Sequence, residues 1–258
     1  HVLTHDGLDA IEAEALELME RDAAQAERFF GNRYVAGSGA AFDHSRWAEL
    51  TDATKVIPDG SLIVIGVDGA RFRDALAIVA TDVATGHQWP LDIQERPPDA
   101  PDDYEHDFDQ ADRAVMDAVG DGKVRGRWQL WRMYVDPQHI EMLFDRWQGR
   151  YGEKVVLPWL TYRFRPMCFA LATYRAAMTA GELSHDGDSI LASHIANATK
   201  RMTKVVDDEA RPMWVIEKPE PRRKIDAAMA GCLAWEARRD AIAAGAKKRE
   251  MFVPRKIR

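Results

Sequence analysis

At 258 residues, with 46% hydrophobic side chains and eight tryptophans, the chain holds enough apolar material for one large domain, alone or with an appendage. Its two cysteines, Cys168 and Cys232, stand in no Cys-x-x-Cys or Cys/His cluster, which excludes a disulfide framework and argues against zinc. No apolar run reaches the ~20 residues of a membrane span, no secretory signal is visible, and a net charge of −7 speaks against a generic nucleic-acid coat protein.

The cysteines read as small buried hydrophobes in a reducing cytoplasm, and a start at His1 rather than Met reads as a piece of a longer protein. The charge is unevenly spread. From Lys200 onward there are 16 Lys and Arg against 9 Asp and Glu, net +7, while the remainder carries 19 against 33, net −14. Asp99, Asp102, Asp103, Glu105, Asp107, Asp109 and Asp112 follow one another without a single Lys or Arg. A site that gathers cations and also touches phosphate would show such asymmetry; a solvated acidic loop and an exposed basic tail would show it too.

In chain order, residues 8–30 predict a helix carrying Leu8, Ile11, Ala15, Leu18 and Met19, broken at Gly31 and again at Gly37-Ser38-Gly39. Residues 1–57 therefore read as a helical linker or appendage, 58–246 as the main domain, and 247–258 as a basic C-terminal tail. The near-continuous apolar run Leu62–Val67 suits a strand buried on both faces. Strands over 75–80 and 87–93 follow after short links, which implies an antiparallel meander. A helix near 110–119 leads to a fourth strand over 129–135, a helix over 138–150 and a short strand at 154–157. Helices over 167–180 and 190–200, a small hairpin (203–206 with 213–216) and a helix from 224 to about 243 complete the set.

Three aspartates stand at joints between these elements. Asp68 ends the first strand, Asp136 ends the fourth, and Asp226 lies in the first turn of the last helix. Each also has a plain structural explanation. Asp68-Gly69 is a strong turn signal, Asp136-Pro137 fits a helix cap followed by proline, and Asp226 suits the positive end of a helix. Together they suggest more, because hard oxygen ligands hold Mg²⁺ or Mn²⁺, and two such ions can drive phosphodiester hydrolysis.

The predicted order is three strands, helix, strand, helix, strand, then helices, which is the ribonuclease H-like order: an α/β mixed sheet in which an antiparallel trio joins parallel strands, with helices on both faces. Within it the chain resembles the C-terminal nuclease domain of the large terminase subunit of tailed bacteriophages. Ile65-Gly66-Val67-Asp68, Tyr134-Val135-Asp136-Pro137, Glu182–Gly187, His194–Ala198 and Lys224-Ile225-Asp226-Ala227-Ala228 carry the resemblance, with the lead-in Ala26–Val35 similar to the segment joining motor to nuclease.

That resemblance implies a metal-dependent endonuclease that cuts concatemeric double-stranded DNA, with Asp68, Asp136 and Asp226 as ligands of a pair of Mg²⁺ or Mn²⁺ ions and Asp186 as a weaker fourth. Lys224 would orient the attacking water or steady a phosphate; His194 and Asn197 would brace the site or touch DNA. Arg222, Arg223, Lys247, Lys248 and Arg249 are the phosphate contacts expected. The partners implied are double-stranded DNA, the ATPase motor of the same full-length protein, the portal and the small terminase subunit, with no membrane, in the cytoplasm of an infected bacterium. No Gly-x-x-x-x-Gly-Lys-Ser/Thr loop is present, so the chain reads as the cutter without its motor. The rival readings are a recombination nuclease or transposase of the same fold, a sugar-kinase or actin-like ATPase suggested by Gly66-Val67-Asp68-Gly69, and a non-catalytic module docking on DNA or a capsid.

Overall fold

The computed structural model describes residues 39–248 except 73 and 221. The helix expected over 8–30, the lead-in 26–35 and the tail from Arg249 onward lie outside the described residues. Six strands form one sheet: β1 (Leu62–Gly69), β2 (Leu76–Asp82), β3 (His87–Gln94), β4 (Gln129–Val135), β5 (Val156–Pro158) and β6 (Ser184–His185). Their spatial order is β5-β4-β1-β2-β3-β6. β1, β2 and β3 run antiparallel, β4 lies parallel to β1, β5 parallel to β4, and β6 parallel to β3. This is the expected mixed sheet, with β6 added at one edge.

The period-two alternation of the central strands separates two apolar layers. Ile63, Ile65 and Val67 of β1, Leu76 and Ile78 of β2, and Met133 and Val135 of β4 share one buried cluster with Ala111, Val115, Leu143 and Trp147. Those partners lie on α2 (Phe108–Val119) and α3 (Glu141–Tyr151). Val64, Ala77, Val79 and Tyr134 point the other way, into a cluster with α4 (Phe164–Ala180) and α6 (Asp226–Ala243). Between them in sequence come α5 (Ser189–Asn197) and the hairpin β7 (Thr199–Val206) with β8 (Pro212–Glu217), paired as a separate two-stranded sheet.

Gly66 decides how closely α6 sits on β1. A Cβ there would fall 2.0 Å from the Ala230 carbonyl oxygen and 2.3 Å from the Ala234 nitrogen. Only a residue without a side chain lets the helix backbone come down onto the strand. The first described segment is also part of the core. Short α1 (His44–Glu49) carries the buried Trp47, and Phe42 packs edge-on against Tyr174 and Trp214. A boundary at residue 57 therefore cuts through packed structure. Other differences are small: α3 starts at Glu141 because Pro137–Ile140 form a turn with His139 at φ 71°, and α5 ends at Asn197 where β7 begins.

Candidate metal centre

Asp68, Asp136 and Asp226 meet at one end of the sheet. Asp68 shares the face of Val64 and Gly66, so its side chain lies on the α6 side, under the start of that helix. Val67 pairs with Val135 in the parallel β1–β4 ladder, and the Asp136 N–H donates to the Val67 carbonyl at 3.0 Å. That hydrogen bond sets Asp136 beside Asp68. Its carboxylate accepts from Gln138 N (3.2 Å), from Thr161 N (3.3 Å) and from the Thr161 hydroxyl.

α6 opens at Asp226 over this pair, and α5 holds that opening in place. His194 is buried, with Nδ1 accepting the Ala227 N–H at 2.8 Å, so that Nε2 is the nitrogen that donates to Glu95 (2.9 Å). Asn197 donates from Nδ2 to the Lys224 carbonyl at 3.1 Å. The two residues share one helical face, and that face serves as a brace for the helix start. Asp226 is itself only 6% exposed, and its Oδ2 is buried with no hydrogen-bond partner.

A fourth carboxylate, absent from the sequence expectation, completes the cluster. Asp74 lies in the β1–β2 connection and is half-buried. Its Oδ1 takes the ammonium of Lys218, which follows β8, and that of Lys224 at 3.2 Å. Its backbone carbonyl accepts from His106 Nε2 at 2.5 Å, tying in the acidic segment after β3. Part of that segment's charge is neutralised: Glu105 pairs with Arg71 and Asp109 with Arg146, each at 2.8 Å, and Asp112 with Arg150.

The electrostatics follow from this crowding. Burial first, then the charges of Asp226, Asp136 and Asp74, push the Asp68 carboxyl well above the usual carboxylate range. Burial and Asp74 likewise raise Asp226, against the opposing pull of His194 and Lys218. Burial works to raise Asp74 too, but hydrogen bonds and charge from Lys218 and Lys224 outweigh it and hold that carboxyl low. Two acids in a buried, like-charged cluster are thus held above their ordinary range, beside a third whose charge is met by lysine.

The donor set fits a hard divalent cation. Asp68 takes no hydrogen bond or ion pair from its side chain among the described residues, and the orphaned Asp226 oxygen is a buried polar atom that an ion would satisfy. As they stand, no three His, Cys, Asp or Glu side chains among the described residues are drawn in tightly enough to grip an ion.

The remaining expected residues fall in three places. Arg222 is exposed and Arg223 half-buried on the loop that leads into Lys224 and Asp226. Asp186 does not join it, which corrects its assignment as a metal ligand. His185 stands opposite Gln88, whereas Ile93 stands at the level of Asp68, and five residues of strand separate the two by about 16 Å. Its carboxylate is engaged locally with the Asp188 N–H at 3.0 Å. Lys247 and Lys248 are exposed beyond the C-terminal end of α6, an 18-residue helix that places them about 27 Å from Asp226. Lys247 there lines a hollow of about 620 Å³ with Arg125, Arg127 and Trp128, far from the carboxylates.

The architecture has known counterparts. The large terminase of bacteriophage HK97 superposes with a TM-score of 0.56 over 86% of this chain and 50% of its own, at 16% identity. The large terminase nuclease of thermophilic phage G20c does so at 0.52, over 77% of this chain and 98% of its own, at 14% identity. A structure of that nuclease with bound magnesium also scores 0.52, at 15% identity. The fold is the ribonuclease H-like fold of large-terminase nuclease domains. In sequence, the gene 13 proteins of Mycobacterium phages D29 and L5 are 27% and 26% identical over 190 and 192 residues, taking in 70% of this chain. The match spans 30% of the length of those relatives. No family model matches the chain.

Proposed function

We propose that the chain is the nuclease domain of a phage large terminase, a Mg²⁺- or Mn²⁺-dependent endonuclease that cuts concatemeric double-stranded DNA during packaging. The observation that carries this is the convergence of Asp68, Asp136 and Asp226 from three distant parts of the chain, with a buried Asp226 oxygen left without a partner. In this reading the wider protein supplies an ATPase motor, works with a portal and a small terminase subunit, and acts in the cytoplasm of the infected bacterium.

Asp68, Asp136 and Asp226 would hold the ions, of which the proposed mechanism uses two. When bound, these cations supply an activated water and stabilise the charge on the leaving oxygen of the phosphodiester. Thr161 and the Gln138 N–H fix the orientation of Asp136; His194 and Asn197 fix the start of α6 and with it Asp226. Lys224 lies at the cluster with its ammonium on Asp74, from where it reaches an incoming phosphate or water. Arg222 and Arg223, on the loop before Lys224, would contact the DNA backbone.

A plasmid digest with EDTA, Ca²⁺, Mg²⁺ and Mn²⁺ tests the proposal, with the cut ends sequenced. Cutting should need Mg²⁺ or Mn²⁺, with Mn²⁺ at least as effective because it tolerates imperfect geometry, and Ca²⁺ should not support it. Asp136→Ala should abolish it. The ends should show little sequence preference, since the sequence carries no recognisable base-reading motif and phosphate contacts carry no base information. Robust cutting in EDTA, or by Asp136→Ala at the wild-type rate, would overturn the reading.

A further inference from the structure

The segment that orients Asp136 continues directly into an exposed run of alternating aromatic and basic side chains. Thr161 donates both its N–H and its hydroxyl to the Asp136 carboxylate. Tyr162, Arg163, Phe164 and Arg165 follow, all exposed, with Tyr162 at 61%. Rings at such exposure add little to the core, although Phe164 belongs to the helix α4. Among the described residues neither Arg163 nor Arg165 is paired with a carboxylate.

The surroundings add charge of the same sign. The Arg201 guanidinium from β7 lies 5.2 Å from the Phe164 ring centre, and that of Arg165 5.6 Å from the ring of Phe169. Arg201 also meets Glu217 at 3.3 Å. α4 begins here with no acidic residue in its first turn, so no carboxylate of that turn offsets the positive helix end beside the arginines. Between this run and Asp136 lies a hollow of about 330 Å³ lined by Pro137, Gln138, Glu141, Leu160 and Tyr162. Glu141 is the one acid on that lining, and its carboxylate accepts the His139 N–H at 3.3 Å.

We infer that Tyr162–Arg165 is a DNA-backbone rail, in which Arg163 and Arg165 hold phosphates next to the one being cut and Tyr162 packs against the sugar between them. The inference rests on the nuclease reading above. Its reach follows from chain length. Arg163 and Arg165 are two and four residues from Thr161, no more than about 14 Å of chain. At 3.4 Å of rise per nucleotide on one strand, that backbone span matches about four nucleotides, and the arginine side chains extend it further. Such contacts set register and affinity and carry no base information. The rail is closer to the chemistry than the tail lysines, and it is coupled to the centre through a residue that already bonds Asp136.

The test measures binding of the 258-residue chain to a short fluorescent duplex by anisotropy in Ca²⁺, from about 50 to 200 mM salt. The Arg163→Ala/Arg165→Ala double variant should bind more weakly, and its slope of log K against log salt should flatten by about 1.8, or 0.9 for each phosphate no longer neutralised. Arg163→Lys/Arg165→Lys should keep most of that slope, and Tyr162→Ala should lower affinity while leaving it unchanged. Matching thermal unfolding of each variant shows that the fold is retained. A wild-type slope in the alanine double variant overturns the rail, whether or not plasmid is cut, as does a wild-type chain that binds no duplex. A flattened slope in a chain that cuts DNA in no metal keeps the rail and removes the nuclease instead.

Discussion

Asp68 shows at the scale of one residue what the candidate centre costs the fold. Its carboxyl is raised by burial first and by three neighbouring carboxylates after it. An acid that holds its proton more tightly folded than unfolded contributes stability at low pH, and loses it as pH rises from about 4, the unfolded value, through the folded one. Without metal, Asp68→Asn should therefore melt higher than the wild type at pH 8. A gain of about 2–4 °C corresponds to each 1 kcal/mol in a domain of this size. The gain should shrink as pH falls toward about 4 and vanish below it, where Asp68 is protonated in both states. Thermal unfolding in EDTA across that range measures it, and equal melting temperatures at pH 8 would remove the repulsion argument.

Among the elements, α6 and β1 are the pair on which the geometry depends, because they bring Asp226 over Asp68. Their packing tolerates no side chain at residue 66: the atoms a Cβ would meet are backbone, which cannot swing aside as a flexible side chain can. Gly66→Ala should lower stability by about 1–3 kcal/mol through overpacking, seen as a lower urea midpoint. It should also lift the start of α6 and weaken the stabilisation by added Mn²⁺. A variant with the wild-type midpoint would show that the helix is free to shift. His194 and Asn197 work on the same joint from α5, satisfying or using the backbone groups of Ala227 and Lys224.

For the whole molecule, the basic residues after Lys200 divide in space: Lys218 and Lys224 pair with Asp74 in the cluster, and Lys247 and Lys248 lie elsewhere. The carboxylates occupy one end of the sheet, while the exposed Lys247 and Lys248 leave α6 at the other, about 27 Å away. Phosphates held by Lys247 and Lys248 would lie away from the chemistry. Deleting the residues after Ala246 should weaken duplex binding and flatten its salt dependence by about 0.9 for each phosphate the tail neutralises, with the rate at saturating DNA retained. Unchanged affinity and slope would assign the tail to a protein partner.

Local pattern is sufficient for five of the six strands of the sheet and for the positions of three acids at the ends of elements. Apolar runs ending in Asp68 and Asp136, and a helical period opening at Asp226, are signals carried by neighbours in the chain, and the alternation of β1 separates the two apolar layers. Asp74 carries no such signal. It sits in a connection without period, and its partners Lys218 and Lys224 are 144 and 150 residues away. The resemblance of Glu182–Gly187 offers Asp186 as a ligand, but sequence does not say at which end of a sheet a turn emerges; the parallel pairing of β6 with the start of β3 puts it at the far end. The Tyr162–Arg165 run is illegible in sequence for the same reason. Exposed aromatics and arginines take their meaning from what lies beside them, and only folding sets Thr161 against Asp136, 25 residues earlier in the chain. Short-range periodicity is written in the order of residues, whereas the meeting of distant side chains is decided by strand order, register and the depth to which one helix settles on one glycine.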